Sequence, residues 1–187
     1  LPIYEVILTR EPGGTPFAEE LREIILNKPM DRMTALLLAF ASRNEHIENV
    51  IKPALEAGKY VISDRFTDST YAYQVSGQGI PKEYVEVLEH MVQKQLKPDM
   101  TLIFTVPVEI SRQRLSKTGK EPDNFESQSN DFFQRVLDGY LNIAKSEPER
   151  CKLVDSSKSL EDTKEQVVGI MNQFLGTDNK KVKKNKP

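Results

Sequence analysis

The sequence has a single cysteine, two histidines and no apolar run long enough to cross a membrane. With only Cys151 available, an intrachain disulfide is excluded and a reducing compartment is favoured. Its position just before Leu153 and Val154 is more typical of a small core residue than of a nucleophile. His46, His90 and this cysteine do not have zinc-like spacing, and no signal-peptide pattern opens the chain. These absences predict a soluble, cytoplasmic domain with no membrane partner.

An excess of charge of one sign is also lacking. The 26 basic and 28 acidic residues give a net charge of −2, which does not indicate a nucleic-acid partner. Five lysines and one aspartate fall in residues 176–187, which leaves −6 for the rest of the chain. This lysine-rich tail has no apolar stripe and is predicted to be disordered. Residues 1–175 are predicted to form a single domain.

The stretch from Tyr60 to Gln74 has the most informative pattern in the chain. A short apolar run after Gly58 ends abruptly in Asp64 and Arg65, where helical spacing begins. This pattern predicts a buried strand of a parallel sheet, with both charged residues in the ligand crevice beyond its carboxyl end. Arg65 can bind a phosphate with its planar fork, and Asp64 can hold a metal ion or its waters. The alternative is a surface ion pair that caps the next helix.

Strand and helix patterns alternate along the chain. Thr15 is predicted to cap the first helix, with Pro16 at its first position, and Met100 to Val106 should form a fully buried strand. Predicted inward-facing residues include Phe17, Leu37, Met91 and Phe174. The predicted strands cover residues 3–8, 60–63, 100–106 and 152–154, and the main helices cover 16–26, 30–57, 81–96, 125–144 and 160–175. Together they predict a doubly wound parallel α/β fold.

A polar connector with Gly and Pro at 117–124 is typical of a mobile lid.

Arg43 lies on the apolar stripe of the 30–57 helix, three residues after Phe40 and four before Ile47. A buried arginine is costly unless it is paired or bound to a ligand. Glu45 and Glu48 point elsewhere on the helix, so neither is a suitable partner. Spacing alone leaves a structural role and a ligand-binding role open.

Thr70, Tyr73 and Gln74 share one helix face, with Phe66 a turn earlier. The Gln74 amide offers a donor and an acceptor, so it can pair with an imide edge of a flat heterocycle. The alternative is a polar, solvated face. For Arg22, on the first helix, the alternatives are a solvated side chain and one directed into the crevice.

Several motifs, taken together and in order, resemble the bacterial and phage type of thymidylate kinase. They are Thr9–Gly14, Ala41–Arg43 with His46, Val50–Leu55, Asp64–Phe66, Ser69 with Ala72–Gln74, and Pro98–Asp99. The resemblance spans nearly all of Tyr4 to Leu175. It implies a fold like that of P-loop nucleoside monophosphate kinases, and phosphoryl transfer from ATP to dTMP for deoxynucleotide synthesis. It also implies Mg²⁺ as cofactor and a homodimer packed through long helices.

The resemblance further implies roles at the phosphate end of the substrate. Arg65 would bind the acceptor phosphate close to the transferring group, and Asp64 would serve the magnesium ion and its waters. Arg22 would reach the dTMP phosphate, while Glu11 and Pro12 line the same pocket.

At the base end, the resemblance implies that Arg43 reaches thymine O4. Gln74 and Thr70 would read the N3 edge of the base. Tyr73 would pack under the deoxyribose where a 2′-hydroxyl would lie, which favours deoxy substrates.

Three departures from the family pattern stand out. The phosphate-binding loop, Gly-x-x-x-x-Gly-Lys-Ser/Thr, is missing, so we expect a further strand, loop and helix of roughly 25–30 residues before the first strand. Ala39 occupies the place of the aromatic residue that stacks on thymine; either Phe40 replaces it or base choice broadens. Asn124 follows Asp123 where the lid often carries arginine, so Lys117, Lys120 or an arginine of the missing loop is expected to supply the charge.

Two alternative functions follow from these departures: a broader-specificity deoxynucleoside monophosphate kinase, and a non-catalytic nucleotide-binding module.

Overall fold

Two separate pairs of parallel strands occur in the part of the chain that the computed structural model describes, residues 5–117, 119 and 121–177. The chain divides into two units, Leu1–Lys97 with Gly119–Ile143, and Pro98–Thr118 with Ala144–Pro187. Each unit contains one strand pair. The predicted single domain over 1–175 stays a prediction, and most of the lysine-rich tail lies outside the described residues.

In the first unit, β1 (Val6–Arg10) pairs in parallel with β2 (Tyr60–Asp64), and Arg10 lies opposite Asp64. β1 extends past the predicted end at residue 8 because Thr9 and Arg10 continue the pairing. The prediction that the second strand is buried is wrong, since Ile62 is 52% exposed. Side chains alternate across a strand, and the face that carries Leu8 and Ile62 is left open by the described residues.

The long helix predicted over 30–57 is continuous but changes its winding. It comprises α2 (Arg32–His46), a π-helical turn (Ile47–Ile51) and α3 (Lys52–Glu56). The wider turn directly precedes Pro53, whose ring would clash with the carbonyl four residues earlier in a regular α-helix. Before it, α1 (Pro16–Asn27) begins as predicted, because Thr15 Oγ1 accepts a hydrogen bond from Ala18 N at 3.1 Å.

After β2 come α4 (Thr67–Thr70), a second π-helical segment (Tyr71–Gly77) and α5 (Lys82–Gln93). Leu36, Phe40, Ile80 and Val85 form one core cluster of this unit, and Ala72, Phe132 and Val136 form another. The last helix of the unit, α7 (Asn130–Ser146), begins five residues later than predicted. The reason is a turn at 124–127, where the Asp123 carboxylate accepts from Phe125 N and Glu126 N, both at 2.8 Å.

The second unit contains β3 (Thr101–Thr105), α6 (Val108–Ser116), β4 (Cys151–Asp155) and α8 (Leu160–Phe174). Cys151 is buried, as predicted. The prediction of a fully buried strand is wrong, because Ile103 is buried but Phe104 is exposed.

Four predicted inward-facing residues, Phe17, Leu37, Met91 and Phe174, are exposed. Three- and four-residue spacing identifies an apolar stripe along a helix. This stripe is wider than the part of the helix surface that neighbouring elements cover. In α5, for example, Val85 is fully buried while Met91, two turns later, is open. Within the described residues, no helix is long and apolar enough to span a membrane.

Candidate active site

The carboxyl ends of β1 and β2 bring Arg10 and Asp64 side by side, and the loop after β1 continues from there. Glu11 N donates to the Asp64 carbonyl at 2.9 Å. Arg10 is held by two bonds to Glu19, Nε to Oε1 at 3.2 Å and Nη2 to Oε2 at 2.7 Å. Glu19 Oε1 also accepts from Gly14 N. Hydrogen bonds from Arg10 and Gly14 lower the pKa of the Glu19 carboxyl, so it is ionised at neutral pH.

The loop Glu11–Gly14 is fastened to α1 and α2. Gly13 N donates to the buried Ser42 Oγ at 3.1 Å, and Arg22 Nη1 donates to the Pro12 carbonyl at 3.0 Å. Gly14 has φ +91°, and a Cβ there would lie 2.4 Å from the His46 ring. Arg22 is thus turned towards this loop, and its contact with a bound phosphate stays a prediction.

At the centre of this region lies a buried charged cluster of Glu11, Arg43 and His46. Arg43 Nε donates to Glu11 Oε2 at 2.7 Å, and His46 Nδ1 lies 2.9 Å from Glu11 Oε1. His46 Nε2 lies 2.7 Å from Thr9 Oγ1. The side chains of Glu11 and Arg43 are each 4% exposed, and that of His46 is fully buried.

One of the three guanidinium nitrogens of Arg43 makes no hydrogen bond to the described residues. The guanidinium carbon lies 4.7 Å from the Phe40 ring centre and 5.2 Å from that of Phe66, and Nη2 donates to Thr70 Oγ1 at 3.0 Å. Nη1 is buried and has no hydrogen-bond partner among the described residues. Such an atom is costly unless something accepts from it. Phe40 is buried against Arg43, and its direct stacking on a base stays a prediction.

Arg65 follows β2 with φ +69°, a left-handed conformation that is strained for a residue other than glycine. Ser63 Oγ donates to the Arg65 carbonyl at 2.8 Å and so holds this turn. The exposed side chain lies over the Tyr73 ring, 4.7 Å from its centre, and Nη2 donates to the Tyr73 hydroxyl at 3.2 Å.

Three aromatic rings pack edge-to-face against the Tyr73 ring. The ring centres of Phe125, Phe132 and Tyr140 lie 5.8, 6.1 and 6.4 Å from its own. The Tyr140 hydroxyl lies 2.7 Å from Ser69 Oγ. Burial raises the pKa of Tyr140 to about 12, although the nearby Arg65 charge opposes this shift.

The continuous helical stretch of α4 and the second π-helical segment therefore links five of the predicted site residues. Thr70 contacts Arg43, and Tyr73, three residues later, contacts Arg65. Gln74 is buried in the same segment. Asp64 is exposed at the strand end, beside Arg10.

The predicted lid has a defined end at Asn124. Its side-chain Nδ2 donates to the carbonyls of Ile25 and Lys28 at 3.1 and 2.9 Å, and its backbone N donates to Leu26 O at 3.0 Å. Asn124 thus binds the final carbonyls of α1. Lys117 is exposed, and Lys120 lies outside the described residues.

Sequence reasoning missed His46 as a site residue, and with it the pairing of Arg43 with Glu11. Glu11 lies 32 residues from Arg43 in the chain, so helical spacing could not connect them. One signal was present: Arg43 and His46 are three residues apart on α2 and therefore share a face.

In the first unit, the parallel strands β1 and β2 carry arginines and a carboxylate at their carboxyl ends, as in α/β proteins of the nucleotide-binding class. Residues 2–167 match the Thymidylate kinase family. A thymidylate kinase of Methylobacillus flagellatus is 49% identical over 170 residues, which are 91% of this chain and 83% of the relative. One from Cupriavidus necator is 50% identical over 169 residues, 90% of this chain and 83% of the relative.

Solved structures agree with these matches. The crystal structure of thymidylate kinase from Ehrlichia chaffeensis aligns with a TM-score of 0.70 at 31% identity, covering 89% of this chain and 81% of that one. The chain belongs to the thymidylate kinase family. The predictions of this family, of its P-loop kinase-like α/β fold and of an ATP-dependent kinase acting on dTMP are confirmed.

Proposed function

We propose that dTMP binds with its base at Arg43 and its phosphate at Arg65, positioned to accept the γ-phosphoryl group of ATP. The observation that carries this proposal is the buried Arg43 Nη1, which has no partner among the described residues. Thymine O4 is an acceptor of the kind that this donor requires.

The base pocket is supported by the side chains around Arg43. Thr70 and Gln74 are both buried, and together they offer a hydroxyl and an amide to the N3 edge of thymine. Phe40 and Phe66 contact the Arg43 guanidinium, which limits its rotation. Glu11 and Pro12 would line the pocket of the acceptor phosphate, where Arg22 donates to the Pro12 carbonyl.

At the phosphate end, Arg65 and Arg22 offset charge on the acceptor phosphate. Charge spreads over the transferring oxygens during in-line transfer, so positioned cations are the main contribution of the protein. Tyr73 contacts the Arg65 guanidinium through its ring and its hydroxyl, and it would pack under the deoxyribose, where a 2′-hydroxyl would otherwise have to fit.

Asp64 is the residue that would hold Mg²⁺, through its waters. Its carboxylate is exposed at the end of β2, and Mg²⁺ is commonly bound by one or two carboxylates together with waters and substrate phosphates. When bound, the ion supplies positive charge to the nucleotide phosphates.

The predicted lid contributes two lysines to the proposed site. Lys117 and Lys120 would add positive charge to the transferring group, and closure of the lid would exclude water as a competing acceptor. The side chain of Lys117 is exposed.

A homodimer in the cytoplasm is also part of the proposal. Exposed apolar residues on α2 and α5, namely Leu37, Tyr84, Val87 and Met91, support an interface through these helices. The sequence has one cysteine and therefore no intrachain disulfide, which is consistent with a reducing compartment. Sedimentation of the wild type and of Val87→Glu tests the dimer: a wild-type monomer contradicts it.

The proposed function is tested by calorimetric binding of dTMP, dUMP, dCMP and dGMP, followed by acceptor-dependent release of ADP from ATP. We expect dTMP to bind most tightly and to give equal amounts of dTDP and ADP. Equal turnover of dCMP would instead favour the broader kinase. A folded chain that binds no dTMP would overturn the proposal.

A further inference from the structure

His46 makes none of the proposed substrate contacts, yet it is fully buried and has both ring nitrogens within hydrogen-bond distance of a partner. We infer that His46 is a positioning residue: it holds Glu11 in a one-point contact with Arg43 Nε, so that Nη2 stays bonded to Thr70 and Nη1 is oriented to select a base that carries an acceptor. This inference rests on the proposed function.

The protonation pattern of the cluster follows from its partners. A carboxylate only accepts, so His46 Nδ1 must donate to Glu11 Oε1. In a neutral imidazole, Nε2 then accepts from the Thr9 hydroxyl. Glu11 and Arg43 carry opposite charges and lie 2.7 Å apart, so they offset each other in this buried cluster.

A second arginine in the same unit shows the alternative, two-point contact. Glu19 uses both carboxylate oxygens on Arg10, binding Nε and Nη2 side by side. Glu11 binds only Nε of Arg43, and its other oxygen lies against His46 Nδ1. Arg43 Nη2 therefore remains available to Thr70.

The ring of His46 has little freedom to move away. The Gly14 backbone lies so close that a Cβ there would be 2.4 Å from Cδ2 and 2.6 Å from Nε2. Without the Nδ1 donor, Glu11 is expected to turn and bind Arg43 through both Nε and Nη2. That movement would displace Thr70 and redirect Nη1.

Two polar substitutions separate the two nitrogens of the ring. In His46→Asn the side-chain amide nitrogen reaches the position of Nδ1, so it can still donate to Glu11. In His46→Gln the longer amide reaches the position of Nε2, so the bond to Thr9 can remain while the bond to Glu11 is lost. Ser42→Ala is the matched control, since Ser42 is equally buried on α2 and bonds the same loop at Gly13.

The experiment measures the dissociation constants of dTMP and dCMP by calorimetry on the full chain, together with the thermal midpoint of each variant. His46→Gln should weaken dTMP binding by at least about tenfold and leave dCMP nearly unchanged, whereas His46→Asn should stay within about threefold of wild type for both. Ser42→Ala should lower the thermal midpoint without changing the preference for dTMP. A purely structural role would instead give Gln and Asn variants with the same preference as wild type.

The outcomes also separate this inference from the proposed function. Wild type that binds dTMP, with His46→Gln binding it equally well, contradicts the inference alone. The same follows if His46→Gln weakens dTMP and dCMP by equal factors, or if His46→Asn loses the preference as well. A folded wild type that binds no dTMP contradicts the proposed function itself.

Discussion

The Glu11 carboxylate and the Arg43 guanidinium form a buried ion pair, with Oε2 2.7 Å from Nε and each side chain 4% exposed. The pair joins the loop after β1 to the face of α2. Because neither charge is well solvated, each depends on the other more than a surface pair would.

Glu11→Ala should therefore lower the free energy of unfolding by about 3–5 kcal/mol, since it leaves the Arg43 charge buried without its carboxylate. Urea unfolding measures this loss. Glu86→Ala, which breaks the exposed pair of Lys82 and Glu86, is the control and should leave the urea midpoint nearly unchanged. Equal effects of the two substitutions would contradict the buried-pair interpretation.

Tyr73 is expected to set the preference for deoxyribose. Tyr73→Ala opens the space under the sugar, so the ratio of kcat/KM for dTMP over its ribose counterpart should fall by about tenfold or more. Tyr73→Phe keeps the ring and should keep this ratio, while it loses the hydrogen bond to Arg65. A ratio that is unchanged in the Ala variant would show that another group excludes the 2′-hydroxyl.

Tyr140 should make stability sensitive to alkaline pH. Its pKa is raised from 10.0 to about 12 in the folded chain, first because of burial. Stability that depends on its neutral form is thus complete below pH 10 and is lost as the pH rises towards 12. The urea midpoint should fall less over this range in Tyr140→Phe than in wild type. Tyr71, whose pKa is also raised by burial and by Glu89, is present in both proteins, so its effect cancels.

Asn124 is expected to be a structural anchor of the lid. Asn124→Ala removes the side-chain bonds to the carbonyls of Ile25 and Lys28 and should cost about 1 kcal/mol in the free energy of unfolding. Turnover per folded molecule should change little, because the amide is engaged by α1. A large drop in kcat with unchanged stability would instead favour a direct catalytic role for this position.

Local patterns predicted the elements of the fold well and their burial less well. The cap at Thr15, the strand that begins at Tyr60 and the long helix predicted over 30–57 each depend on residues close in sequence. The openness of Ile62 and Phe104 depends on which elements cover them, and that is not encoded within the strands themselves.

The candidate site likewise combines features that local sequence predicted with features that depend on contacts between distant residues. The ordered motifs were sufficient to identify the family, and the spacing of Thr70, Tyr73 and Gln74 predicted one functional segment. The pairing of Arg43 with Glu11 and the role of His46 arise from contacts across 32 and 35 residues. Spacing along a helix carries no information about such contacts.

Arg65 is proposed to act on the transferring phosphate, and dTMP-dependent release of ADP from ATP measures this role. Arg65→Ala should lower kcat by about 10²–10³-fold, and Arg65→Lys should recover only part of it because a lysine lacks the planar fork. Arg65 is exposed, so the thermal midpoint of both variants should stay close to that of wild type. Near-full turnover by Arg65→Ala would contradict the account.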